Sequence, residues 1–294
     1  MILRRKRVAE LSMTWLLVWA FAGPLLGQGT PYRLGVSPLR VDVKMPAGQA
    51  NTETIRVTSD GDEPVHMRAS ATDWYFNEND APQYVRVGRH PSYSCAQWLR
   101  INPTEFDVPA KGAIPVRFTV VTPPGGDIGG YHCAVLVEMV PPPLPALPQT
   151  GLRTLLRFAT SVYVVMGDPQ AQGEVVSLDL APAPPEAAVL AGAQEKPRWE
   201  HRLTLRNTGR THFRVTATLE VKDQEGKTIS QFKIESQPVL PESQREFKLY
   251  GNEELAPGDY QLTASIDIGL KSLLQAEKKV RIEANAPEPP PASK

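Results

Sequence analysis

The sequence predicts an all-β protein that consists of two β-sandwich domains in tandem, preceded by an export signal. Apolar and polar residues alternate with a period of two along many short segments, as in half-buried strands. Clusters of Gly, Pro, Asn and Asp separate these segments and have the chemistry of turns. The 294 residues include 29 prolines, roughly twice the usual share. Proline fixes φ and has no N–H, so it favours strand ends and loops over long helices.

The N-terminus reads as a signal peptide over residues 1–29. Residues 4–7 are all basic, residues 11–22 are apolar, and Gly27 and Gly29 are small residues suited to a cleavage site. The apolar run is shorter than the ~20 residues that span a bilayer. An uncleaved N-terminal anchor is the alternative. Cleavage predicts a periplasmic or secreted mature chain without a membrane span.

The first domain is predicted over residues 30–168, because turn residues divide this part of the chain into short alternating segments. Predicted strands occupy residues 34–43 with a break at Pro38, 52–58, 65–74, 96–101, 113–121, 131–140 and 152–166. About seven short strands with turns between them are typical of an immunoglobulin-like sandwich.

The second domain is predicted over residues 173–284 for the same reason, so the fold class is two immunoglobulin-like β-sandwiches in tandem. Predicted strands occupy residues 175–180, 201–206, 213–221, 228–234, 245–249, 261–268 and 278–282. Tyr260 follows a Pro-Gly turn and is interpreted as a corner tyrosine of such a sandwich. Residues 285–294 are rich in proline and are predicted to be disordered.

The chain has two cysteines, Cys95 and Cys133. In an exported protein they can form one disulfide, and closing this loop adds about 3–4 kcal/mol in the loop-entropy description. Two buried free thiols are the alternative.

Composition and spacing favour a protein without catalytic activity. The 32 basic and 32 acidic residues balance, which argues against nucleic acid as a partner. The five histidines do not share ligand spacing with one another or with carboxylates, so neither a metal site nor a cofactor is predicted. A nucleophile-elbow pattern is also missing from the sequence. A hydrolase or metal enzyme is therefore the weakest hypothesis.

The segment 152–166 is the strongest candidate for partner binding. It follows the proline tract at 141–148 and, as a strand, has more than twice the typical length of ~6 residues. A long apolar strand edge is normally a hazard, and a protein that keeps one can use it to pair with a partner's strand. The predicted binding residues are Leu152, Arg153, Leu155, Leu156, Arg157 and Phe158. The alternative is an ordinary last strand behind a hairpin loop.

Three segments of the first domain carry a family resemblance: GVSPLRVDV, TETIRVTSDGDEPVHMRASATDW and WLRINPTEFDVPAKGAIPVRFTVVTPPG. A proline-rich loop and a long strand follow them. The chain resembles the PapD-like periplasmic pilus-assembly chaperones over about residues 33–284. In the second domain, LRNTGRTHFRV, VLPESQREFKL and LAPGDYQLTASID are similar to other exported immunoglobulin-like domains.

The resemblance implies an exported chaperone that binds pilin-like subunits, or other envelope proteins, by strand addition. Members of this family grip a subunit's C-terminal carboxylate with an arginine on the first strand and a lysine on the last strand of the first domain. Arg40 matches the arginine. Residues 160–166 contain no lysine, and Arg153 and Arg157 lie nearer the start of that strand. The alternative function is a structural or adhesive envelope protein without chaperone activity.

Overall fold

A computed structural model describes residues 33–89, 92–141, 154–191 and 196–283. The predicted signal peptide, the predicted C-terminal tail, Leu152 and Arg153 lie outside these ranges. Over the described part of the chain, no helix has the length and apolar character needed to cross a membrane.

In the described residues, the first β-sandwich has ten strands arranged in two sheets. Its strands are β1 (Leu34–Ser37), β2 (Arg40–Met45), β3 (Ala50–Ser59), β4 (Val65–Phe76), β5 (Pro82–Val85), β6 (Leu99–Asn102), β7 (Glu105–Val108), β8 (Ala113–Val121), β9 (Gly129–Met139) and β10 (Arg157–Met166). One sheet has the order β1-β3-β8-β6. The other has the order β2-β10-β9-β4-β5, with β7 also paired to β4. The all-β prediction is confirmed.

Alternation along each strand builds the first core. In β2, Val41, Val43 and Met45 point inward while the residues between them are exposed. Ile55, Val57 and Phe118 of the facing sheet are fully buried against them in the same cluster. The Sγ atoms of Cys95 and Cys133 are 1.98 Å apart, so the two cysteines are joined by a disulfide within this core.

The part of the second sandwich that the structure describes has seven strands and one short helix. Its elements are β11 (Gly173–Pro182), α1 (Ala187–Ala191), β12 (Trp199–Asn207), β13 (Phe213–Lys222), β14 (Thr228–Val239), β15 (Gln244–Gly251), β16 (Gly258–Asp267) and β17 (Leu274–Ile282). The sheets have the orders β11-β12-β15 and β14-β13-β16-β17. The Tyr260 hydroxyl donates to Ala256 O at 2.8 Å, as expected for a corner tyrosine.

The last strand of the first sandwich is shorter than the sequence predicts. It begins at Arg157 rather than at Leu152, and residues 154–156 are not part of a strand. The cause is its partner β9, which ends at Met139: the N–H groups of odd-numbered β9 residues face β10, and the next one in line, Pro141, has no N–H to donate. Periodicity also missed β5, β7 and α1, which are short.

Candidate functional site

One edge of β10 is only partly covered. Along its whole length β10 pairs antiparallel with β9, from Arg157 opposite Glu138 to Met166 opposite Gly129. On the other edge β2 pairs in parallel with residues 161–166 only. The first hydrogen bond on that edge runs from Ser161 N–H to Leu39 O, at 2.9 Å.

The backbone of the uncovered part has a defined orientation. Leu156 O accepts from Met139 N at 3.0 Å, so the even-numbered residues direct their backbone groups toward β9. The N–H and C=O groups of Arg157 and Ala159 therefore point to the opposite edge. Among the residues that the structure describes, no strand pairs with this edge before Ser161. We call the stretch from Arg157 to Thr160 the open edge.

A change of sheet by the N-terminal strand creates the open edge. Pro38 separates β1 from β2, and β1 pairs with β3 in the opposite sheet rather than continuing along β10. Pro38 O accepts a hydrogen bond from Thr160 Oγ1 at 2.8 Å. This bond holds the segment that passes from one sheet to the other beside the open edge. Leu39, at this crossing, is 59% exposed. The sequence reasoning did not select Leu39, although a large apolar residue next to an X-Pro break is a usable signal.

The predicted binding residues that the structure describes gather at the start of β10. Leu155 is 48% exposed, whereas Leu156 is partly buried against the first core. Phe158 is partly buried as well. Arg157 is exposed and donates from Nε to Glu138 Oε2 of β9 at 3.0 Å, so its side chain is held within the sheet.

Arg40 lies where the open edge ends, because it is the first residue of β2 and stands opposite Ser161. Its Nε is 2.8 Å from Asp42 Oδ2, and both side chains are about half exposed. The fold therefore brings Arg40 and the described residues from 155 to 158 to the same edge of one sheet.

A second guanidinium reaches this place from the other sandwich. Arg214 of β13 donates from Nε to Ser236 Oγ at 2.8 Å, and its charge acts on the Tyr163 hydroxyl of β10. Its pKa is lowered, first by burial and then by the positive charge of Arg40. The sequence reasoning missed Arg214, because alternation shows that it is on the outer face of β13 but not what it faces.

Two aromatic rings, one from each sandwich, pack against each other at this place. The rings of Tyr163 and His212 have centroids 4.4 Å apart. Burial raises the pKa of Tyr163 to about 12 and lowers the pKa of His212 to about 4. Both rings are therefore uncharged at neutral pH. The charged groups that act on His212 are Asp42, Arg214 and Arg40, which leaves an excess of one positive charge. We call Arg40, Asp42, Tyr163, His212 and Arg214 together the cationic cleft.

The fold and the site together define a tandem immunoglobulin-like protein with an open strand edge beside a cationic cleft. No protein-family model matches the chain, and a search of curated proteins gave no match either.

Similar solved structures include several fimbrial chaperones. The class 5 fimbriae chaperone CfaA is 16% identical with a TM-score of 0.45, over 84% of this chain and 99% of that chain. The E. coli chaperone DraB is 15% identical with a TM-score of 0.39, over 85% and 97%. A chain of the CsuC–CsuE chaperone-tip adhesion subunit pre-assembly complex of Acinetobacter baumannii is 12% identical with a TM-score of 0.44, over 83% and 97%.

Proposed function

We propose that this protein is an exported, non-enzymatic chaperone that holds a partner subunit by β-strand addition at the open edge. The observation that carries the proposal is the pair of backbone N–H and C=O groups at Arg157 and Ala159, which face an edge that no described strand covers. Unpaired strand edges are templates for another chain. The exposed apolar side chains of Leu39 and Leu155 border the same edge.

The contacts at the open edge provide too little free energy for tight binding by themselves. Each backbone hydrogen bond nets about 1 kcal/mol, and full burial of a leucine contributes about 2 kcal/mol. Association itself costs several kcal/mol in lost freedom of movement. The short open edge therefore holds a partner only modestly, and the cationic cleft next to it is the natural source of additional affinity.

The direction of the partner strand follows from charge. A strand that fills the open edge lies in line with β2. If it runs parallel to β10, its C-terminal end meets Arg40. If it runs antiparallel, its N-terminal end meets Arg40, and two guanidiniums disfavour an ammonium group. We infer that the partner's last strand lies parallel to β10 and that its terminal carboxylate is bound by Arg40 and Arg214. Arg214 then supplies the second cation, which the lysine of the resembling family would otherwise provide.

Peptide binding tests this proposal directly. The probes are decapeptides in which Val, Leu or Phe alternates with Thr or Ser, each made with a free C-terminal carboxylate and with a C-terminal amide. Calorimetry with the oxidised protein should show binding of a subset of the pool, with the carboxylate form favoured about tenfold or more, as for a charge-assisted hydrogen bond.

Two variants separate the backbone and charge contributions. Ala159→Pro removes the N–H that faces the open edge and should abolish binding while the protein stays folded, since proline is tolerated at an unpaired edge. Ala159→Ser keeps the N–H and is its matched control. Arg40→Ala should remove the preference for the carboxylate. Failure of the whole pool to bind, or equal binding by Ala159→Pro and Ala159→Ser, would overturn strand addition and favour a structural or adhesive envelope protein.

Export is part of the same proposal and has its own test. The basic and apolar segments at residues 4–7 and 11–22 predict cleavage near Gly29. Expression in a Gram-negative host, followed by fractionation and N-terminal sequencing, should find a periplasmic chain that starts near Thr30. A full-length chain retained in the cytoplasm contradicts export.

A further inference from the structure

Three of the five described non-glycine residues with left-handed backbone lie where the two sandwiches meet. Asp80 (φ 57°) and Tyr93 (φ 55°) lie on the first sandwich, and Glu242 (φ 50°) lies on the second. Each of them makes a contact with the other sandwich. A non-glycine residue in this conformation costs on the order of 1–3 kcal/mol and persists only where its surroundings require it. All three residues lie in turns or bends, and each of these segments also carries a contact between the sandwiches.

Arg245 of β15 makes the most extensive of these contacts. Its Nε donates to Asp80 Oδ1 at 2.6 Å and its Nη2 to Asp80 Oδ2 at 3.0 Å, which gives a bidentate pair. Nη1 donates to Pro238 O of its own sandwich. The Cζ atom lies 3.9 Å from the ring centroid of Phe76 of the first sandwich. The Arg245 side chain is only 8% exposed, so the charge of the guanidinium depends on these partners.

Lysine cannot replace Arg245 in this contact. A planar guanidinium can bind a carboxylate through two donors and lie on an aromatic ring at once, and a lysine ammonium cannot. Nη1 of Arg245 meanwhile holds the side chain to its own sandwich through Pro238 O. One side chain thus fixes the β4–β5 turn, which carries Asp80, against β15.

A second group of contacts lies near the junction of the sandwiches. Arg210 Nη2 donates to Asp127 Oδ2 at 3.0 Å, and Gly130 N–H donates to Arg210 O at 2.7 Å. A Cβ atom on Gly130 would come within 2.9 Å of the Thr211 backbone, so the two sandwiches meet here without spare room. Contacts at two separate places define an angle, whereas one contact alone would leave a hinge.

The cationic cleft depends on that angle, because Arg40 belongs to the first sandwich and Arg214 to the second. We propose that Arg245 is a positioning residue that sets the angle between the sandwiches and so holds Arg214 next to Arg40. The first part of this inference, that Arg245 sets the angle, does not depend on the proposed function. The second part, that this angle places Arg214 for binding a carboxylate, rests on it.

Small-angle X-ray scattering of the full chain tests the first part. Arg245→Met keeps the apolar contact with Phe76 and loses the fork to Asp80. It should give a broader distribution of interatomic distances and a larger maximum dimension than the unmodified protein. Asp80→Asn, at a half-exposed position, tests the same pair if Arg245→Met does not fold. Lys248→Met is the matched control, because Lys248 of β15 pairs with Glu246 of its own sandwich. Unchanged scattering for both Arg245→Met and Asp80→Asn overturns the inference.

Binding of the carboxylate and amide peptides tests the second part. Arg245→Met should lower the carboxylate preference about tenfold, the same effect that we expect of Arg214→Ala, because a charge-assisted hydrogen bond is worth about that factor. Binding of the amide form should stay within about twofold, since the open edge is untouched. An altered scattering curve with an unchanged carboxylate preference overturns the link to Arg214. If no peptide binds the unmodified protein, the proposed function fails, and scattering still decides the role of Arg245.

Discussion

At the scale of single residues, His66 lies between two carboxylates on the surface of the first sandwich. Its Nε2 is 2.8 Å from Glu105 Oε1 and its Nδ1 is 2.7 Å from Asp107 Oδ1. The pKa of His66 is raised above 6.5, first by the hydrogen bond with Glu105 and then by that with Asp107. A raised pKa in the folded state means that His66 stabilises the fold below pH 6.5 and loses this effect as pH rises through the raised value.

We therefore expect His66→Gln to reduce the free energy of unfolding more at pH 5.5 than at pH 8.5. Urea unfolding of both proteins at the two pH values measures this difference. The His66 Cε1–H resonance should titrate with a midpoint above 6.5 and shift downward in Glu105→Gln. A midpoint at or below 6.5 in the unmodified protein contradicts the geometry.

His212 should respond to pH in the opposite direction. Burial beside Tyr163 lowers its pKa to about 4, so protonation favours the unfolded chain. The stabilisation is complete above the ordinary value near 6.5 and is lost as pH falls toward about 4. From pH 7 to pH 5 we expect His212 alone to lower the free energy of unfolding by about 2 kcal/mol. The change in stability between the two pH values should differ by this amount between the unmodified protein and His212→Gln; an equal change in both proteins assigns it to other groups.

At the scale of secondary-structure elements, β10 has two edges with different hydrogen bonding. Phe158 and Thr160 direct their N–H groups to β9, Ser161 donates to Leu39, and Arg157 and Ala159 face the open edge. Amide hydrogen exchange should therefore alternate along this strand: fast at Arg157 and Ala159, slow at the other three. NMR-detected exchange of the partner-free protein checks the pattern. Slow exchange at Ala159 means that some other part of the chain already covers the edge.

The alternation of the sequence predicted most of the long strands to within a few residues, and it failed where pairing sets the boundary. Residues 113–121 were predicted as a strand and form β8 with the same limits. The segment 152–166 alternates in the same way, but β10 starts only at Arg157 because β9 ends at Met139. Local periodicity reports which residues can form a strand, whereas the partner decides how far the strand extends.

At the scale of the whole molecule, one disulfide joins distant parts of the first sandwich. Cys95 and Cys133 are fully buried and 38 residues apart. Opening a loop of this length should lower the free energy of unfolding by about 3–4 kcal/mol. Urea unfolding with and without reductant measures the effect, and Cys95→Ala/Cys133→Ala should not respond to reductant. Two free thiols in the natively exported protein, counted by mass spectrometry, contradict the expectation.

Sequence patterns selected some of the residues of the candidate site. Arg40, Leu155, Leu156, Arg157 and Phe158 were selected from alternation and resemblance, and the structure describes all five near the start of β2 or β10. Leu39, Arg214 and Arg245 were missed, although Leu39 adjoins Arg40 in the chain. No local pattern identifies a surface arginine of the second sandwich as a neighbour of the first, since that depends on how two separately folded units meet.

The sequence by itself determined that the chain is all-β, that it divides into two sandwiches, and which residues of most strands point inward. These properties follow from the period of two and from turn chemistry, which act over a few residues. Only the tertiary structure decided that Pro38 sends β1 to the opposite sheet and leaves Arg157 and Ala159 uncovered. Tertiary structure also decided that the ring of His212 in the second sandwich packs against that of Tyr163 in β10, and that Arg214 acts electrostatically on Arg40. Strand pairing and domain contact are interactions between residues far apart in the chain, and alternation carries no information about them.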